Sequence, residues 1–140
     1  MQRMKLSAAI TLAGVLLLSG CAAGGTGGEA AADSCETVRA EVRDISNGAQ
    51  NVLSAGGDPS EVQSALEGYS ERAGELAEGA DDDVAGAVEG LGEKIDEAAD
   101  FAETLPSDPE AEVDAEAVAE HQTAIQEAAA GVADECKSDA

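Results

Sequence analysis

The chain has 140 residues, of which 30 are acidic and 7 are basic, so its formal net charge is −23. This charge excludes a nucleic-acid-binding protein, because binding to phosphates requires lysine and arginine side chains that displace counterions. The length suits one domain, and one Phe, one Tyr and no Trp are too few for an aromatic surface that stacks bases or sugars.

The chain begins with a pattern typical of an export signal. Arg3 and Lys5 precede an uncharged, mostly apolar run over residues 6–18. A basic segment followed by about 7–15 apolar residues is characteristic of a secretory signal peptide, and it is too short to span a bilayer about 30 Å thick. The sequence therefore predicts a signal peptide over residues 1–20.

The signal ends in Leu18-Ser19-Gly20-Cys21, which resembles the lipobox of bacterial lipoproteins at all four positions. The resemblance implies a diacylglyceryl lipid on the Cys21 thiol and cleavage between Gly20 and Cys21. Two acyl chains anchor a protein stably to a membrane, so the resemblance implies a location on the extracytoplasmic face of the cell membrane. The composition is also similar to that of small, acidic, Ala- and Gly-rich lipoproteins of high-GC Gram-positive bacteria.

A Gly-rich stretch of small residues follows the lipobox and predicts a flexible tether over residues 21–33. If Cys21 carries lipid, Cys35 and Cys136 remain as a pair in an oxidising compartment, where a disulfide forms and persists. A redox or metal pair is disfavoured, since the chain has one His and no C-x-x-C motif. We therefore predict a Cys35–Cys136 disulfide.

Apolar residues at spacings of three and four predict four amphipathic helices after the tether. Gly56-Gly57 ends the first helical pattern, and Asp58-Pro59-Ser60-Glu61 is typical of a helix start. Acidic and proline-containing turns separate the later patterns. The predicted helices lie near residues 34–55, 59–79, 82–105 and 110–136.

Short connections make consecutive helices antiparallel, so we predict an all-α, up-down-up-down four-helix bundle over residues 34–137 with a short tail over 138–140. In this topology the start of the first helix and the end of the last helix lie at the same end of the bundle. The topology therefore brings Cys35 and Cys136 together, as the predicted disulfide requires. The chain has a low fraction of Leu, Ile, Val and Phe and a high net charge, and this combination is typical of disordered proteins. The regular spacing of these apolar residues favours the bundle, although glycines within the predicted helices make its expected stability marginal.

The candidate catalytic and metal-binding residues favour structural interpretations. His121 lies on the apolar seam of the fourth predicted helix without nearby transition-metal ligands, so we interpret it as a partly buried structural side chain. Asp81, Asp82 and Asp83 are weak candidates for a Ca²⁺ site, but they lack the spacing of an EF-hand loop and suit a helix-capping turn. A second acidic cluster, over residues 108–116, is interpreted as a solvated surface.

The chain contains no G-x-S-x-G motif, and its many carboxylates lack the aromatic walls that hold sugars in glycosidases. The sequence therefore predicts neither an enzyme nor a cofactor other than the lipid. A strongly acidic domain attracts basic proteins, basic peptides and cations, and the anionic membrane repels it.

We expect a non-enzymatic helical module that is anchored to the membrane and binds a protein or cationic partner. A surface protein that binds or buffers divalent cations is the first alternative, and a structural spacer in the envelope is the second. Gly86 and Gly90 have a spacing that would also suit a homodimer face, which we do not favour over close packing within the bundle.

Overall fold

The computed structural model describes residues 27–108 and 110–138. Over these residues the chain forms four helices, which are α1 (Gly27–Ala55), α2 (Pro59–Gly79), α3 (Asp82–Ala102) and α4 (Ala115–Ser138). In this part of the chain, none of the helices combines the length and the apolar character needed to cross a bilayer. The predicted signal peptide lies outside the described residues.

The four helices form a ring in which each helix packs against two neighbours. Contacts join α1 to α2, α2 to α3, α3 to α4 and α4 back to α1, and the α2–α3 contact is the most extensive. Short loops over residues 56–58 and 80–81 reverse the chain between α1, α2 and α3. The predicted all-α, up-down-up-down bundle is confirmed.

The core contains side chains from all four helices at the predicted spacing. The largest fully buried side chains are Ile45, Leu66, Val84, Val88, Leu91, Ile95, Ile125 and Val132. In α1 the last buried position is Leu53, eight residues after Ile45, and its neighbour Val52 is only partly buried. A straight helix drifts about 20° per heptad relative to a strict 3.5-residue repeat, so over several turns the buried position moves by one residue.

The first helix begins at Gly27 instead of near residue 34, so residues 27–33 of the predicted tether are helical. The alanines at positions 30–32 explain this difference, because alanine is the strongest helix former.

The connection between α3 and α4 is longer than predicted, because α3 ends at Ala102 and α4 begins at Ala115. After Ala102 the backbone N–H of Leu105 donates to the carbonyl of Ala102 at 3.1 Å, which is the tighter spacing of a frayed helix end. Proline at position 106 disfavours helical backbone at the preceding residue. Asp114 then caps α4, since its Oδ1 accepts the N–H groups of Glu116 and Ala117 at 3.1 Å each.

The α1–α2 turn follows the predicted pattern. Gly56 and Gly57 have φ values of 61° and 126°, which residues with a side chain rarely adopt. Asp58 is the N-cap of α2, and its Oδ1 accepts the backbone N–H of Ser60 at 3.0 Å and the Ser60 hydroxyl at 2.5 Å. The hydrogen bonds from the Ser60 side chain and backbone lower the pKa of Asp58.

Replacing Asp58 with alanine is expected to lower the unfolding midpoint by a few degrees at pH 7, because two donors of the first turn lose their acceptor. The folded pKa of Asp58 lies below its ordinary value of 3.8, so this contribution is present above that pH and is lost as the pH falls through the folded pKa. Thermal unfolding at pH 7 and pH 3 measures the effect. Asp58→Asn keeps a capping oxygen and serves as the control, and an equal loss for Asp58→Ala at both pH values would contradict a role for the charge.

Candidate functional site

One end of the bundle holds the start of α1, the α2–α3 turn and the end of α4, and we call it the anchor end. Gly20 and Cys21, the predicted cleavage and lipidation residues, lie outside the described residues. The chain enters the described part at Gly27, the first residue of α1. A lipid on Cys21 would therefore be joined to the bundle at the anchor end.

Cys35 and Cys136 form the predicted disulfide at the anchor end. Their Cα atoms are 5.5 Å apart, which is within the usual range for a disulfide. Both residues are buried. The bond joins positions separated by 101 residues, so it closes most of the described domain into one covalent loop.

The acidic run over residues 81–83 lies at the start of α3. Asp81 is the N-cap residue, and its carbonyl accepts the N–H groups of Val84 and Ala85 at 2.9 and 2.8 Å. Its carboxylate makes no capping bond and instead accepts the Ser34 hydroxyl at 3.1 Å, which links α3 to α1. Among the residues that the structure describes, no group of three or more His, Cys, Asp or Glu side chains is arranged to hold a metal ion.

His121 is partly buried between α3 and α4, as expected of a structural side chain. Its ring stacks on Phe101, with 4.7 Å between the ring centroids and 27° between the planes. Both residues lie close to the ends of their helices that meet the α3–α4 loop. The pair therefore serves to pack α4 against α3.

The opposite end of the bundle consists of the α1–α2 loop over residues 56–58 and the α3–α4 loop over residues 103–114, and we call it the distal end. Negative charge is concentrated here and on the adjoining turns of α4. Residues 103–120 contain seven carboxylates and no basic side chain: Glu103, Asp108, Glu110, Glu112, Asp114, Glu116 and Glu120. All of them are exposed, so this end presents a strongly acidic surface.

The two distal loops enclose a surface cleft of about 500 Å³. Asp58 and Asp108 contribute carboxylates to it, while Pro106, Ala111 and Val113 contribute apolar surface. Val113 is 45% exposed, and it is the large apolar side chain that the described residues leave most open to solvent. The distal cleft thus combines negative charge with an apolar contact.

The sequence predicts the acidic surface of the distal end but does not predict the distal cleft. Its two walls are about fifty positions apart in the chain, and only the antiparallel packing of the helices brings them together. Val113 was the available signal, since it is an isolated apolar residue within an acidic loop. Comparison of the chain with protein-family models, with curated proteins and with solved structures found no significant match.

Proposed function

We propose that the protein is a lipoprotein attached by a diacylglyceryl group on Cys21 to the extracytoplasmic face of the cell membrane. We propose further that its bundle is a non-enzymatic module that binds a basic segment of a partner protein. The lipobox-like sequence that ends in Cys21 supports the anchor. The distal cleft, with Asp58 and Asp108 beside the exposed Val113, is the observation that carries the binding proposal.

A lysine or arginine side chain of a partner would suit both kinds of surface in the distal cleft. Its aliphatic stem would pack against Val113 and Pro106, and its charged head would meet the carboxylates of Asp58 and Asp108. The surrounding acidic residues would raise the association rate of a basic segment through long-range attraction. The attraction would weaken as salt screens it.

The arrangement of the two ends also supports this proposal. The lipid would join the bundle at the anchor end, whereas the distal cleft lies at the other end. The anionic surface of a membrane repels an acidic domain, so the distal end would face outward, toward soluble or wall-bound partners.

The anchor is tested by replacing Cys21 with alanine in a bacterium that exports lipoproteins. We expect the wild type in the membrane fraction and the Cys21→Ala protein in the soluble or secreted fraction, because the lipid has lost its attachment atom. The Cys35→Ala/Cys136→Ala protein keeps Cys21 and is the control that should remain in the membrane fraction. Membrane retention of Cys21→Ala, or an unmodified Cys21 in the mass spectrum of the wild type, would contradict the anchor.

The binding proposal is tested with an oligolysine peptide as the probe and isothermal calorimetry as the measurement. The distal variant, Asp58→Asn/Asp108→Asn, removes two charges from the distal cleft and keeps side chains that can still accept the local backbone N–H groups. We expect it to bind the peptide about fivefold more weakly, equivalent to ~1 kcal/mol.

The matched control for this experiment is Glu67→Gln/Glu75→Gln, which removes two exposed charges from α2. It should bind the peptide nearly as well as the wild type. Equal weakening by both variants would mean that only the net charge attracts the peptide, and the binding proposal would then be wrong. Failure of the wild type to bind would favour the structural spacer.

A further inference from the structure

A second cleft, of about 230 Å³, lies between α1 and α4 and is distinct from the distal cleft. Its α1 wall carries Arg39, Arg43, Ser46 and Asn47, and its α4 wall consists of alanines, among them Ala133. We call it the arginine cleft. In a chain with 30 acidic and 7 basic residues, two guanidinium groups on one short wall are unexpected.

These two arginines differ from the other basic side chains of the described residues. Arg72 pairs with Glu41 at 3.2 Å, and two lysines pair with carboxylates on their own helices at 2.6 and 2.8 Å. Within the described ranges, neither Arg39 nor Arg43 forms an ion pair or a hydrogen bond. The α4 wall, which could have carried a neutralising carboxylate, presents alanines to the cleft instead.

The Nε atom of Arg39 is buried and has no hydrogen-bond partner. A buried donor without an acceptor destabilises the folded protein, and more so when it is charged. Arg39 and Arg43 are also four residues apart on one helix, where like charges repel each other. One anion in the arginine cleft would neutralise this pair by accepting from the terminal guanidinium nitrogens of Arg39, which, unlike Nε, are not buried without a partner.

The other groups in the arginine cleft define the ligand more closely. The planar guanidinium group matches two oxygens of a carboxylate. The Ser46 hydroxyl accepts from the side-chain amide of Gln50 at 3.0 Å, so its own proton remains available to a ligand oxygen. The alanines of α4 supply apolar surface opposite these polar groups, and Val42 adds apolar surface on the α1 wall.

The volume of the arginine cleft limits the size of the ligand, and the charge of the protein limits how much negative charge the ligand carries. A volume of 230 Å³ corresponds to roughly seven or eight water molecules at about 30 Å³ each, which is enough for a small organic molecule. The negative field of the whole protein disfavours ligands with several negative charges. We infer that the arginine cleft binds a small monocarboxylate with an apolar body, held by Arg39 and Arg43. This site does not depend on the proposed function.

The probe for this inference is hexanoate, titrated into the full mature chain at constant ionic strength. The measurement follows the Nε–H resonances of the arginines in ¹H–¹⁵N spectra, so it reports on the side chains themselves. We expect a saturable shift of the Arg39 resonance by hexanoate. Hexanol, which lacks the charge, and acetate, which lacks the apolar body, should each bind at least tenfold more weakly.

The variants separate a specific site from a general effect of charge. Arg43→Gln should weaken hexanoate binding at least tenfold, and because Arg43 is exposed this variant should fold normally. Arg72→Gln makes the same change in charge at the arginine that is already paired, and it should bind hexanoate as the wild type does. The inference is overturned if both variants lose the same affinity, if no resonance shifts saturably, or if inorganic phosphate binds more tightly than hexanoate.

Discussion

A chain with alanine at both Cys35 and Cys136 is expected to lose about 3–5 kcal/mol of unfolding free energy, which corresponds to a midpoint roughly 15–30 °C lower for a domain of this size. The disulfide joins residues 101 positions apart, so its loss frees a long loop in the unfolded chain. The core is built largely from Ala and Val, which bury less apolar surface than larger side chains. The bond is therefore expected to supply a large share of the total stability.

Chemical denaturation with and without a reductant measures this effect. The protein that keeps the disulfide and the Cys35→Ala/Cys136→Ala protein should both carry Cys21→Ala, so that no third thiol exchanges with the disulfide. The reductant should destabilise the protein that keeps the disulfide and leave the Cys35→Ala/Cys136→Ala protein unchanged. If the two proteins unfold at the same denaturant concentration without reductant, the disulfide contributes nothing to the stability of the bundle.

Alanine at Gly68, Gly74 and Gly86 together is expected to raise the unfolding free energy by about 2–3 kcal/mol, or the midpoint by roughly 10–20 °C. These glycines lie within helices and are exposed. No atom lies within 4 Å of the position that a Cβ would occupy at any of them. Each substitution therefore restricts the unfolded chain without disturbing a contact.

Gly48→Ala is the matched control, because it makes the same chemical change where α1 meets α2. A Cβ at Gly48 would overlap the ring of Tyr69, so the ring must leave its place for alanine to fit. We expect no gain in stability and a lower midpoint than that of the wild type. Thermal melts followed by circular dichroism compare the four substitutions. A gain at Gly48 equal to that at Gly74 would contradict the close packing of Tyr69.

The regular features of the fold could be predicted because local rules determine them. The spacing of apolar residues identified the helices, and Asp58-Pro59 marked the start of α2 within one residue. The disulfide could be predicted because the predicted export signal and the antiparallel topology indicated the same pair. Each of these features depends on a few neighbouring residues or on the connectivity alone.

The features that were not predicted depend on competition between opposing local preferences, or on residues that are distant in the chain and close in space. The early start of α1 reflects three alanines at positions 30–32 that outweigh nearby glycines. The late start of α4 reflects capping by Asp114 in a segment where several acidic residues offer caps. The arginine cleft requires knowing that α1 lies beside α4 and that alanines face Arg39, which neither helix shows by itself.

The position of the disulfide also determines how the bundle responds to tension. A force applied at Gly27 enters through α1, and the Cys35–Cys136 bond transmits part of it to α4. The load is thus shared by two helices that lie side by side and run the length of the bundle. To extend the chain, such a force must slide both helices along their neighbours, so many contacts resist it at once. Without the disulfide, α1 alone would bear the applied force.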